Sequence, residues 1–94
     1  MSDPITVVEK DIAAADEWAV IRLRDVSFNL SISGTWAGTV TLQRSFDGQT
    51  WQDVETFTAN AERVGDDPEK NINYRVGFKT GEYTSGTASV RISQ

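Results

Sequence analysis

Between residues 39 and 46 the side chains alternate: Val40, Leu42 and Phe46 point one way, and Thr39, Thr41, Gln43 and Ser45 the other. A period of two belongs to a strand with one face buried and one face wet. Asp47-Gly48 follows, a pair that tolerates left-handed backbone angles, as a tight hairpin requires. Trp51 then lies just inside the returning strand. Residues 33–51 thus read as a turn, a long strand, a second tight turn and the start of another strand.

The same period recurs along the chain. Strands are predicted over 5–9, 18–23, 26–33, 37–46, 50–57, 61–64, 72–79 and 87–93. In the third, Val26, Phe28, Leu30 and Ile32 should face in, and Ser27, Asn29, Ser31 and Ser33 out. Tyr74, Val76 and Phe78, and then Ala88, Val90 and Ile92, should form the inner face near the end of the sequence. Trp51, Val54 and Phe57 are three apart rather than two, which predicts a bulge near Gln52-Asp53. Residues 11–17, with three consecutive alanines, are too few for a helix without tertiary support and read as a loop with room for one turn. Pro68 and its charged neighbours make 66–71 a turn-rich loop. The expected fold is all-β: an antiparallel sandwich of seven to eight short strands, jelly-roll-like or immunoglobulin-like.

Ninety-four residues make one domain spanning 1–94, with residues 1–4 expected as a flexible or partner-bound arm. A chain of this size buries only roughly 60–65% of its unfolded surface, so assembly would add much to its stability. There is no cysteine, which removes disulfides, thiolate metal sites and a thiol nucleophile, and no histidine, the commonest general base. A formal charge of −5 gives no basic patch for nucleic acid. No apolar run is long enough to span a membrane, and Met1-Ser2-Asp3-Pro4 lacks the basic and apolar regions of a signal peptide. Synthesis in a reducing cytoplasm is expected, with no cofactor.

Several groups are candidates for chemistry. Asp66, Asp67 and Glu69 offer hard oxygen ligands to calcium, against a solvated acidic loop as the simpler reading, which the spacing and Pro68 favour. Asp16-Glu17 and Asp53-Glu55 are carboxylate pairs of the kind glycoside chemistry uses, though strands are commonly flanked by acids. Trp36, between small residues in Ser33-Gly34-Thr35-Trp36-Ala37-Gly38-Thr39, is expected at a hairpin tip, to pack at an edge, to anchor a protein partner or to stack on a sugar. Trp18 and Trp51 are expected at core edges. Arg44 falls on the inward side of an apolar strand, where an arginine lays its stem on aromatics and reaches an acid. The sequon Asn29-Leu30-Ser31 falls inside a predicted strand and reads as chance.

Ser45-Phe46-Asp47-Gly48-Gln49-Thr50-Trp51 resembles the Asp-box of sialidase-type propellers with one residue missing. In that family the box is structural, with the Asp accepting backbone N–H bonds, Gly taking a positive φ and Trp packing beneath the hairpin. The wider run from Phe28 to Gly48, and the ending from Tyr74-Arg75-Val76 through Tyr83 to Gln94, resemble small structural proteins of tailed bacteriophages; the first 25 residues carry little of the likeness. The resemblance implies a β-sandwich component of the head surface, neck or tail. Such a component would be non-enzymatic and located in the virion, with other virion proteins and further copies of itself as partners. A carbohydrate-binding module for host attachment, with Trp36 as its platform and a host glycan as its ligand, is the alternative.

Overall fold

The computed structural model describes residues 6–94. The expected arm at 1–4, and Ile5 of the first predicted strand, lie outside the described residues. The described residues are all-β and form one antiparallel sheet of six strands: β1 (Val7–Ile12), β2 (Trp18–Leu23), β3 (Ser27–Ser45), β4 (Gln52–Phe57), β5 (Ala61–Asp66) and β6 (Ile72–Ser93). Six replace the expected seven to eight because two pairs of predicted strands are each continuous. β3 runs through the turn expected at Gly34, and β6 through the break expected after Lys79. Residues 13–17 form a loop with a turn, as the alanine run suggested.

β3 and β6 pair along most of their length, from Asn29 opposite Ser93 to Ser45 opposite Asn73. β1 and β5 flank one end of this ribbon, on β6 and β3 respectively, and β2 and β4 flank the other. The two ends meet. Tyr74 pairs with Arg44, sixteen residues along β3 from Phe28, a span of about 53 Å if extended, yet the Phe28 and Tyr74 ring centroids are 4.9 Å apart. The ribbon therefore doubles back on itself. Its register breaks around Gly38, whose φ is 130° and where a Cβ would collide with the Glu82 carbonyl. A side chain there would force the strands apart at the bend.

The core forms between the two ends. Phe28, Leu30, Ile32, Val90 and Ile92 come from one, and Val40, Leu42, Tyr74, Val76 and Phe78 from the other, all at most 5% exposed. Each large apolar side chain buried in this way contributes roughly 1.5–3 kcal/mol. These positions follow the predicted alternation. Of its outer positions Ser27, Asn29 and Ser33 are exposed as expected, but Thr41, Gln43 and Ser45 are 0%, 6% and 3% exposed. Gln43 is bonded to Arg75 and Asp53 on the adjoining strands, and Ser45 to Asp47 and Gly48 of its own turn. Phe46 and Val26, expected inside, are 64% and 37% exposed, since both fall just beyond the ends of β3. The β4 bulge lies one residue further on than predicted. Leu42 pairs with Glu55 and Gln43 with Asp53, so Val54 is the extra residue and is 46% exposed.

Candidate functional site

Arg44 and Asp67 close the end where the ribbon meets itself. Arg44 Nε and Nη2 each donate to Asp67 at 3.0 Å, and Tyr74 donates its hydroxyl to the same carboxylate at 2.6 Å. The Glu69 amide adds a fourth bond at 2.9 Å. The Arg44 guanidinium also lies 4.7 Å from the centre of the Phe46 ring, so it rests on an aromatic and reaches an acid as its position in the sequence suggested. Asp67 is 2% exposed. Burial alone would raise its carboxyl pKa, but the bonds from Tyr74, Glu69 and Arg44 outweigh that and hold it below the usual range. Burial first, then the carboxylate beside it, pushes the Tyr74 hydroxyl up to about 12. Hydrogen bonding to Asp67 raises Arg44. Both Asp67 oxygens are engaged by donors rather than turned towards an ion. Asp66 accepts from the Ser27 hydroxyl at 2.8 Å instead of joining Asp67. Among the described residues no cluster of three acidic side chains is placed to hold a metal.

The Asp47-Gly48 turn has the predicted chemistry. Asp47 Oδ1 accepts from the Gln49 and Thr50 amides at 2.8 Å and from the Ser45 hydroxyl at 2.9 Å, while Ser45 Oγ accepts from the Gly48 amide. The Thr50 and Gln49 amides, and then Ser45, hold the Asp47 carboxyl well below its ordinary pKa. Gly48 takes φ 78°, a left-handed angle that a side chain resists. Trp51 departs from the Asp-box pattern: its ring packs against Arg75 rather than beneath the hairpin.

Trp36 is a mid-strand residue of β3 and not a turn tip. Its half-buried indole meets Phe78 edge-on at 5.7 Å, and its N–H donates to Asn60 Oδ1 at 2.8 Å. Asn60 in turn donates to the Gly34 carbonyl at 3.1 Å. Of its expected roles, edge packing is the one visible within the chain.

The most organised outward surface was not anticipated. Val20 of β2, Arg75 of β6, Gln43 of β3 and Asp53 of β4 form one row across four strands. Trp18 and Trp51 lie on either side of it, with the Arg75 guanidinium 4.0 Å from one ring centre and 4.4 Å from the other. Each such contact contributes roughly 0.5–2 kcal/mol, depending on desolvation. Arg75 Nε donates to Gln43 at 2.8 Å, Gln43 donates to Asp53 at 2.7 Å, and Lys79 donates to Asp53 at 2.9 Å. Burial between the indoles lowers the Arg75 pKa. Bonds from Gln43 and then Lys79 lower Asp53, and Asp53 in return raises Lys79. Glu55 turns instead to Arg63 of β5 at 3.0 Å, so the expected carboxylate pair is split between two partners.

Arg75, Gln43 and Lys79 escaped the sequence reading, which treated outward positions as solvated. The available signal was Arg75 on the outward parity of a strand whose inward side is Tyr74, Val76 and Phe78. With an indole against the Arg75 guanidinium on either side and its Nε in use, the row is a plate of aromatic and charged groups. Such a plate suits contact with another surface. In comparisons with protein-family models, curated proteins and solved structures, the chain has no match.

Proposed function

We propose that this chain is a non-enzymatic structural protein of a tailed-bacteriophage particle, acting through protein–protein contacts in a symmetric assembly. In this reading the doubled-back sheet is a β-sandwich, jelly-roll-like or immunoglobulin-like, with each half of the β3–β6 ribbon in one layer. The observation that carries the reading is the contrast between spent polar groups and free apolar ones. Asp67, Arg44, Asp47 and Asp53 are engaged in internal bonds. Val20, Phe46, Val54 and Val64 are 52%, 64%, 46% and 80% exposed. Exposed apolar side chains are available to an interface, though scattered singly they are ordinary on any protein surface. The likeness of residues 28–48 and 74–94 to virion proteins gives the assembly its class.

Purified particles test this. The protein should co-sediment with them at a fixed copy number per particle and resist a salt wash; its absence from washed particles would end the reading. The carbohydrate-module alternative draws support from the Trp18 and Trp51 indoles more than from Trp36, whose ring packs on Phe78. Glycan-array binding by the isolated domain, abolished by Trp51→Ala, would favour it.

A further inference from the structure

Four strands border the sheet: β1, β2, β4 and β5 each pair on one side only. An unpaired border presents a row of backbone donors and acceptors to any passing strand. Proteins block it with inward-directed charges, prolines or bulges. Three of the four borders are blocked in this way. Lys10 of β1 stands opposite buried Val90, and Arg63 of β5 opposite buried Leu30. Glu55 of β4 stands opposite buried Leu42, beside the bulge at Val54.

β2 carries no such device on its own residues, and the only one that reaches it among the described residues is Lys10 of β1, at the Trp18 carbonyl. Its inward residues, Ala19, Ile21 and Leu23, are apolar and at most 4% exposed, and its register with β6 is unbroken. Its outward residues are Trp18, Val20 and Arg22. Val20 is 52% exposed although it belongs to the row that carries Arg75. Arg22 takes part in none of the ion pairs among the described residues.

We infer that β2 is the docking edge for a second copy of this chain, pairing antiparallel about Val20 so that the sheet continues across a two-fold axis. The inference rests on the reading above that the chain works through protein contacts. Residues directly opposite in an antiparallel pair share a face, so a shift by one residue would turn Trp18 towards the core. Centring on Val20 keeps every face. Val20 then meets Val20 of the second copy, Ala19 meets Ile21, and Trp18 meets Arg22 in both directions. Each unpaired guanidinium gains an indole, and no cation faces another. The stack of Trp51, Arg75 and Trp18 is lengthened by Arg22 of the second copy. Centring on Ile21 instead would set Val20 against Arg22 and Trp18 against Arg24, which lies beyond the strand. Lys10 Nζ reaches the Trp18 carbonyl at 3.4 Å, at the rim of the paired segment. An isologous contact of this kind closes on itself as a dimer and leaves no further β2 edge to propagate.

The chain has no cysteine, so Val20→Cys introduces a single thiol. Under mild oxidation V20C should form a covalent dimer about tenfold faster than V64C, since opposed Cβ atoms lie within roughly 5.5 Å of one another. Val64 is the more exposed of the two, 80% against 52%, but sits on the blocked β5 border. Val20→Lys sets two ammonium groups face to face and should weaken self-association about tenfold in sedimentation velocity. Its melting temperature at low protein concentration should be unchanged, which shows that the variant is folded. Equal cross-linking of V20C and V64C, or a V20K variant that associates like the wild type, would overturn the inference. A chain found in particles without the V20C cross-link leaves the structural reading standing and this inference refuted. Cross-linked dimers of a chain missing from particles would do the reverse.

Discussion

Asp67→Ala removes a buried carboxylate that ties the two ends of the ribbon together. Four bonds disappear at once: two from Arg44, one from Tyr74 and one from the Glu69 amide. Breaking a buried ion pair by deleting one partner costs about 3–5 kcal/mol, because the other charge stays behind without compensation. Here the Arg44 side chain is 22% exposed and keeps some hydration, which favours the low end. The Tyr74 hydroxyl, on a residue only 2% exposed, loses its acceptor outright. A loss of about 3 kcal/mol is therefore expected, from a total of about 5–14 kcal/mol for a chain of this length. With a urea slope of about 1–1.5 kcal/mol/M, the unfolding midpoint should fall by about 2–3 M at unchanged slope. Tyr74→Phe alone should cost about 1 kcal/mol, and the double variant less than the sum, since both residues serve one network. A midpoint shift under about 0.5 M for Asp67→Ala, or strict additivity with Tyr74→Phe, would refute the view that this cluster holds the doubled-back sheet.

The same cluster sets limits on stability at both ends of the pH scale. The Asp67 carboxyl is depressed in the folded state, so its contribution is present above the unfolded value of about 4 and is lost as pH falls through the folded one. The acid limb of a stability profile should be shallower in Asp67→Ala. Tyr74 has the opposite sign. Raised to about 12, it stabilises fully below the unfolded value of about 10 and loses roughly 2–3 kcal/mol as pH rises from about 10 to 12. Alkaline melting curves should show that loss in the wild type and not in Tyr74→Phe. At the turn, Gly48→Val puts a β-branched residue at φ 78° and should cost about 1–2 kcal/mol in thermal unfolding even though its Cβ meets only Asn73 Nδ2, at 3.8 Å. Arg75→Leu removes the cation between two indoles; near-ultraviolet circular dichroism and tryptophan emission should both change, and identical spectra would show that the stack does not persist in solution.

How much was legible depended on the range of the interaction. The Asp47-Gly48 turn was readable because its bonds join residues at most three positions apart, from Ser45 to Thr50. The inner faces around Leu30, Ile32, Val76 and Ile92 were readable because a strand repeats every two residues whatever its neighbours. Arg44 was partly readable: an arginine among inward apolar residues requires an acid, but only the doubled-back ribbon brings Asp67 within 3.0 Å of it. Trp36 was misplaced because small, glycine-rich surroundings suggest a turn, whereas β3 passes through them as an irregular strand that pairs with β6.

By itself the sequence determined the period-two segments, the absence of thiol and imidazole chemistry, the tight turn and most of the apolar set that makes the core. These properties follow from each residue and its nearest neighbours along the chain. Tertiary structure decided that eight predicted segments become six strands, that Thr41 and Gln43 are covered, and that Trp18 and Trp51 enclose Arg75. It also decided which border of the sheet stays unblocked. All four depend on which strands lie side by side and in what register. That is set by burying both halves of the β3–β6 ribbon against one another, a free energy that no local pattern contains.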